Sequence, residues 1–112
     1  MSKPILAITL GDPAGVGPEV TAKAFPHEAG LGRSTPLVVG DARIVAAAAA
    51  RWAPGWTVAA IEAPEEAVAV GERVIPVIDL SNCDPEKFTI GKVDPYTGNA
   101  AYEYVVHTAQ LA

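Results

Sequence analysis

The chain has 112 residues, half of them apolar, and its 13 acidic side chains outnumber 8 Lys and Arg for a formal net charge of −5. That composition supports one cored domain and excludes a disordered chain. The acidic balance, with a pI near 4.8, argues against nucleic acid or an anionic membrane as a general partner. A backbone site could still bind a phosphorylated small molecule. The one cysteine, Cys83, can make no internal disulfide, which suits a reducing cytoplasm. A catalytic thiol is one reading, but its neighbours Asp84 and Glu86 disfavour a thiolate, so an unreactive thiol is expected. No signal peptide and no window of transmembrane length is visible, and a soluble, cytoplasmic protein is expected.

Ile5 to Leu10 is a short apolar run with β-branched residues, suited to a buried strand. Gly11 to Gly17 then places three glycines and Pro13 in seven residues, which ends the strand and delays a helix. Pro18 suits a first helical position. Glu19 favours the positive end of the helix dipole and is spaced as an i,i+4 ion pair with Lys23. Strand, glycine loop and helix together can present free amides to an anion. A tight turn without a ligand has the same composition, so both readings stand. The loop lacks the Gly-Lys-Ser/Thr ending of a P-loop, and the spacing Gly11, Gly15, Gly17 is not that of the dinucleotide fingerprint. Unusual φ values are expected at Gly15 and Gly17 if the loop lines a cleft.

Phe25-Pro26 predicts a helix stop, with a loop from His27 to Pro36. His27 has no partner at metal spacing and reads as a surface residue. Leu37 to Val39 is a second strand, Gly40 a turn, and Asp41 the N-cap of an alanine-rich helix over 42–52 that Pro54-Gly55 ends. At a strand end Asp41 could also meet a ligand, but capping is the preferred reading. Trp56 to Ile61 is a third strand, Pro64 to Ala67 a helical first turn, and Val74 to Leu80 a fourth strand. Pro76 in that strand predicts an edge position or a later start. Ser81 to Pro95 is a polar loop in which Lys92 reads as solvated. Thr97 is the expected N-cap of a last helix whose face carries Ala101, Tyr102, Val105, Val106, Ala109 and Ala112. Tyr102 and Tyr104 read as packing residues, and His107 as structural or exposed. The alternation predicts an α/β layered, mostly parallel sheet with flanking helices and no internal domain boundary.

Gly-Asp-Pro-Ala-Gly-Val-Gly-Pro-Glu-Val over 11–20 closely resembles the opening of the 4-hydroxythreonine-4-phosphate dehydrogenase family. It is also similar to the shorter Gly-Asp-Gly-Ile-Gly-Pro-Glu opening of isopropylmalate and isocitrate dehydrogenases, whose fold that family shares. Leu37-Val38-Val39-Gly40-Asp41-Ala42, Val77-Ile78-Asp79-Leu80, and Gly91-Lys92-Val93 with Gly98-Asn99-Ala100-Ala101-Tyr102 extend the resemblance in the same order.

The resemblance implies an isopropylmalate-dehydrogenase-like fold, incomplete in this chain, and the N-terminal segment of a homodimeric enzyme of pyridoxine and pyridoxal phosphate biosynthesis. Such an enzyme oxidises 4-hydroxythreonine 4-phosphate with NAD or NADP and a divalent metal, and the product loses carbon dioxide. The metal ligands are expected beyond residue 112, so no metal ligand and no catalytic residue is assigned within it, and the chain alone is expected to be inactive. What carries over is the opening loop, Gly11, Asp12, Pro13, Ala14, Gly15 and Gly17, as a cofactor-binding or substrate-cleft wall. Relatives acting on threonate or erythronate 4-phosphate are the alternative within the class. A non-catalytic α/β binding or assembly module is the alternative outside it.

Overall fold

Each apolar run bounded by glycine or proline becomes a strand, and each longer periodic or alanine-rich run becomes a helix. The computed structural model describes residues 3–111. In chain order the elements are β1 (Ile5–Thr9), α1 (Gly17–Leu31), β2 (Thr35–Gly40), α2 (Ala42–Trp52), β3 (Thr57–Ile61), a 3-10 helix (Pro64–Ala69), β4 (Val74–Asp79), a 3-10 turn (Pro85–Lys87) and α3 (Pro95–Leu111). The four strands lie in the order β1-β2-β4-β3, and every neighbouring pair is parallel. Ile5 stands opposite Thr35, Gly40 opposite Asp79, and Thr57 opposite Val74. Among the described residues no helix is long and apolar enough to cross a membrane.

In β2 every residue from Pro36 to Gly40 is buried. The absence of alternation means that both faces of the strand are covered, as parallel sheets require. α1 and α2 pack against each other, and α3 packs against β1 and β2. The right-handed rule for parallel crossovers puts α1 and α2 on one face, which leaves α3 to cover the other. Leu37, Val38, Val39, Ile75 and Val77 are wholly buried between them. Burying one such side chain contributes about 1.5–3 kcal/mol. β1 is an edge strand, and Ile5 and Leu6 remain 41% and 39% exposed there.

Four expectations from the sequence fail: the helix stop at Pro26, the edge position implied by Pro76, the Thr97 cap and the inward face of α3. Pro26 does not stop α1, which runs on to Leu31 and ends at Gly32 in the left-handed region (φ 67°). The expected loop from His27 to Pro36 is therefore mostly helix and the start of β2. Phe25 is buried and meets Trp56 edge-to-face at 5.9 Å, and Ala29 packs on the same core. These contacts on both sides of Pro26 offset its missing amide bond, a helix-interior defect of about 3 kcal/mol.

Pro76 does not put β4 at an edge or delay its start, because β4 begins at Val74 and lies between β2 and β3. The Leu80 amide donates to the Gly40 carbonyl on β2 (2.9 Å). By strand alternation the nitrogens of Ile78 and Pro76 face β2 as well. Pairing with β2 begins only at Val38–Val77, so the missing N–H falls just before that ladder and costs no bond in it.

Thr97 is not the cap of α3. The Asp94 carboxylate accepts from the Tyr96 amide (2.9 Å), and its carbonyl from the Gly98 amide (3.0 Å) and the Thr97 hydroxyl (3.1 Å). Nor does the expected face turn inward. Thr97, Ala100 and Tyr104 are buried, whereas Tyr102 and Val105 are 65% and 58% exposed. The helix is apolar on two sides, so periodicity alone selects the wrong one. Ala112 lies outside the described residues, as do Met1 and Ser2.

Candidate functional site

Because all four strands run the same way, Thr9, Gly40, Ile61 and Asp79 end at one edge of the sheet. The connections that leave this edge are where open parallel sheets bind ligands. The opening loop leaves β1 there. Gly11 takes φ 78°, and a Cβ on it would stand 3.7 Å from the Gly17 Cα, so the two ends of the loop face each other. Asp12 makes the turn between them. Its Oδ1 accepts from the Ala14 amide (2.8 Å), and its carbonyl accepts from the Gly15 amide (3.0 Å). Pro13 and Ala14 are buried, and Gly15 is exposed.

The expected unusual φ belongs to Gly11 and not to Gly15 or Gly17. Gly17 is needed for another reason: a Cβ there would collide with the Leu10 carbonyl oxygen. The first turn of α1 thus lies directly against the end of β1. Gly15 has no such constraint, since its nearest neighbours, Asp12 O and Cβ, would sit at 3.6 and 3.8 Å from a Cβ.

The helix starts at this edge differ in how they are capped. α2 begins on Asp41, whose Oδ1 accepts from the Arg43 amide (2.9 Å), and Asp79 Oδ1 accepts from the Ala42 amide (3.0 Å). The turn at Pro85 begins on Asp84, and α3 on Asp94. α1 begins on Val16, with no side-chain cap. Pro18 carries no N–H and the Val20 amide bonds the Val16 carbonyl, so the Gly17 and Glu19 amides are the ones without an intrahelical acceptor.

Asp41 does more than cap. It is fully buried. Beyond the Arg43 amide, its carboxylate accepts from Arg43 Nε (3.0 Å), Arg43 Nη2 (2.8 Å) and, across the sheet edge, the Cys83 amide (3.0 Å). Burial pushes this carboxyl upward, but the Arg43 side chain and the amides of Cys83 and Arg43 together hold it below the ordinary carboxylate value. With the acceptor sites of both oxygens taken by protein donors, Asp41 is a structural carboxylate and not a ligand group. Cys83 is buried, and burial first, then the Asp41 charge, push its thiol up to about 11. It is not a nucleophile at neutral pH.

The segment after β4 closes over the loop. The Gly91 amide, with Gly91 at φ 88°, donates to the Ala14 carbonyl (2.7 Å). Lys92 beside it is exposed, and Gly98 has open space where a Cβ would be, so nothing in the structure explains that glycine. His27 is exposed on α1, and His107 is half-buried on α3. Among the described residues no three His, Cys, Asp or Glu side chains come together in a way that could hold a metal. Sequence reasoning missed Asp79, Asp94 and the Gly91–Ala14 bond. An acid closing an apolar strand and an Asp-Pro pair before a helix were readable signals for the first two. The third is long-range and left none.

No protein-family model matches the chain. It is 35% identical over 109 residues to a 4-hydroxythreonine-4-phosphate dehydrogenase of Trichlorobacter lovleyi, covering 97% of this chain and 32% of that protein. To a D-threonate 4-phosphate dehydrogenase of Cupriavidus necator it is 36% identical over 108 residues, 96% of this chain and 32% of that protein. The crystal structure of a 4-hydroxythreonine-4-phosphate dehydrogenase from Burkholderia phymatum superposes with a TM-score of 0.87 at 32% identity, over 99% of this chain and 33% of the other. The chain spans about a third of the length of the curated relatives it matches.

Proposed function

We propose, on the premise that this chain is homologous along nearly its whole length to one third of 4-hydroxythreonine-4-phosphate and D-threonate 4-phosphate dehydrogenases, that it is the N-terminal part of such an oxidoreductase. It forms one uninterrupted unit of that enzyme, and Gly11, Asp12, Pro13, Ala14, Gly15 and Gly17 form a wall of its substrate or cofactor cleft. The reaction is oxidation of a phosphorylated hydroxy acid, 4-hydroxythreonine 4-phosphate, in pyridoxine biosynthesis. D-threonate 4-phosphate is the second reading, supported by the equally similar relative of that name. The whole enzyme is a cytoplasmic homodimer.

The observation that carries the site is the uncapped start of α1 at the ligand edge of the sheet, where α2 and α3 start on aspartates. Its amides and dipole favour an anionic group there. Gly15 contributes an exposed backbone with no side chain in the way. Asp12 shapes the turn through Oδ1, and its charge disfavours an anion on its own side of the loop.

An NAD or NADP cofactor, when bound, would supply the hydride acceptor; the loop's backbone fits the edge of a nucleotide or of a phosphorylated substrate. A divalent metal does not fit the described residues, which bring no ligand set together. The test is a hybrid in which this chain replaces the matching third of the Trichlorobacter lovleyi enzyme. NAD(P)H formation from 4-hydroxythreonine 4-phosphate above that of the truncated enzyme supports the proposal. A folded hybrid without turnover on either phosphate contradicts it and favours a non-catalytic module.

A further inference from the structure

We propose that Asp41 is a positioning residue for the opening loop, acting through the segment that follows β4. The inference rests on the reading of that loop as a cleft wall only for its consequence in catalysis; the mechanical part stands on the geometry alone.

A helix cap needs one carboxylate oxygen. In Asp41, Oδ1 serves that purpose, while Oδ2 accepts from the Cys83 amide (3.0 Å), 42 residues further along the chain, and from Arg43 Nη2 (2.8 Å). Both oxygens are sealed from solvent. The Cys83 bond fixes the start of the segment over 81–94. Beyond Cys83 in the core and Phe88 packed against it, that segment has little packing: its only regular element is the turn Pro85–Lys87, and Ile90 and Val93 are 79% and 103% exposed. It touches the opening loop through the Gly91 amide on the Ala14 carbonyl. The Ala14 amide in turn donates to the Asp12 carboxylate. Hydrogen bonds thus tie Asp41 to Cys83, and Gly91 to Ala14 and Asp12, with the chain from Cys83 to Gly91 as the link between them. The competing anchors are the Asp84 amide on the Tyr96 hydroxyl (2.7 Å), the Asn82 side-chain amide on the Glu103 carboxylate (3.0 Å) and Phe88 packed against the core, which could hold the segment without Asp41.

Amide hydrogen exchange on the 112-residue chain separates the two. In Asp41→Ala, exchange at Gly91 and Gly15 is expected to accelerate at least about tenfold relative to Leu80, whose amide bonds to Gly40 inside the sheet edge. Asp41→Asn offers one acceptor to the Arg43 amide and turns a donor toward Cys83 or the guanidinium, so it is expected to give the same local acceleration in a folded chain. It decides the matter if Asp41→Ala does not fold. Gly91 exchange that changes no more than that of Leu80 in Asp41→Asn, or a loss of protection shared by the whole sheet in both variants, overturns the inference. In the hybrid enzyme, Asp41→Asn is expected to raise KM at least about fivefold while kcat stays within about twofold. Faster Gly91 exchange with an unchanged KM would sustain the positioning role and remove the cleft reading instead.

Discussion

Asp41 and Asp79 brace the β2–β4 edge reciprocally. Asp41, one residue past the end of β2, accepts from the Cys83 amide after β4, and Asp79, the last residue of β4, accepts from the Ala42 amide after β2. Gly40 and Asp79 are paired in register between them. The two carboxylates thus hold together the chain ends that leave the central strands. They differ in depth: Asp41 is sealed, while Asp79 is half-buried and also accepts from the Ser81 amide and hydroxyl.

That difference predicts unequal costs. Asp41→Ala removes a cap and leaves buried donors unpaired, which should destabilise the chain by roughly 2–3 kcal/mol. Asp79→Ala exposes its donors to water and should cost about 1 kcal/mol. Denaturant unfolding of both variants checks the order; equal costs would mean that the burial of Asp41 is energetically irrelevant.

The same carboxylate predicts a pH dependence. The folded state holds Asp41 below its ordinary value, so the unfolded chain binds the proton more readily. Its stabilisation is therefore complete above the unfolded value, about 4, and is lost as pH falls through the lower folded value. The gap in stability between wild type and Asp41→Asn should be full at pH 7 and shrink below about pH 4. Urea midpoints at both pH values measure it, and a gap that widens in acid would reverse the sign.

Cys83 should be silent in the native chain. With the thiol buried and pushed up to about 11, labelling by a thiol reagent at pH 8 should wait on unfolding and be immediate in denaturant. Rapid labelling of the native chain would place the thiol at the surface.

The glycines of the loop should separate by mechanism. Gly17→Ala meets the Leu10 carbonyl and should destabilise most, by more than about 2 kcal/mol. Gly11→Ala adds left-handed strain of about 1 kcal/mol. Gly15→Ala has room and should melt near the wild type. A reversed order in thermal melts would mean that the loop is built differently.

Much of this fold was legible because its strands are short apolar runs with turn residues at their ends, and because Asp41, Glu19 and Lys23 act within one helical turn. Asp41 caps α2 as its position implied, and Glu19 and Lys23 pair at 2.9 Å on the surface. What was not legible is set by distant parts of the chain. Pro26 signals a stop until Trp56 packs beside Phe25, and Pro76 signals an edge until a β2–β4 ladder that begins just past it, at Val38–Val77, removes the need for its amide. The inward face of α3 is chosen by the sheet and not by its own periodicity. In the loop, the glycine pattern was visible. The reason for Gly17, contact with the end of β1, was not.

The most direct measurement is kcat/KM of Gly15→Val in the hybrid enzyme, beside its melting temperature. Gly15 is exposed and a Cβ on it would meet only ordinary contacts, so the fold is expected to hold. If the loop is a wall of the cleft, a branched side chain there displaces substrate or cofactor, and kcat/KM should fall roughly a hundredfold with little change in melting. Undiminished kcat/KM in a variant of normal stability would show that the loop is a turn and the cleft lies elsewhere.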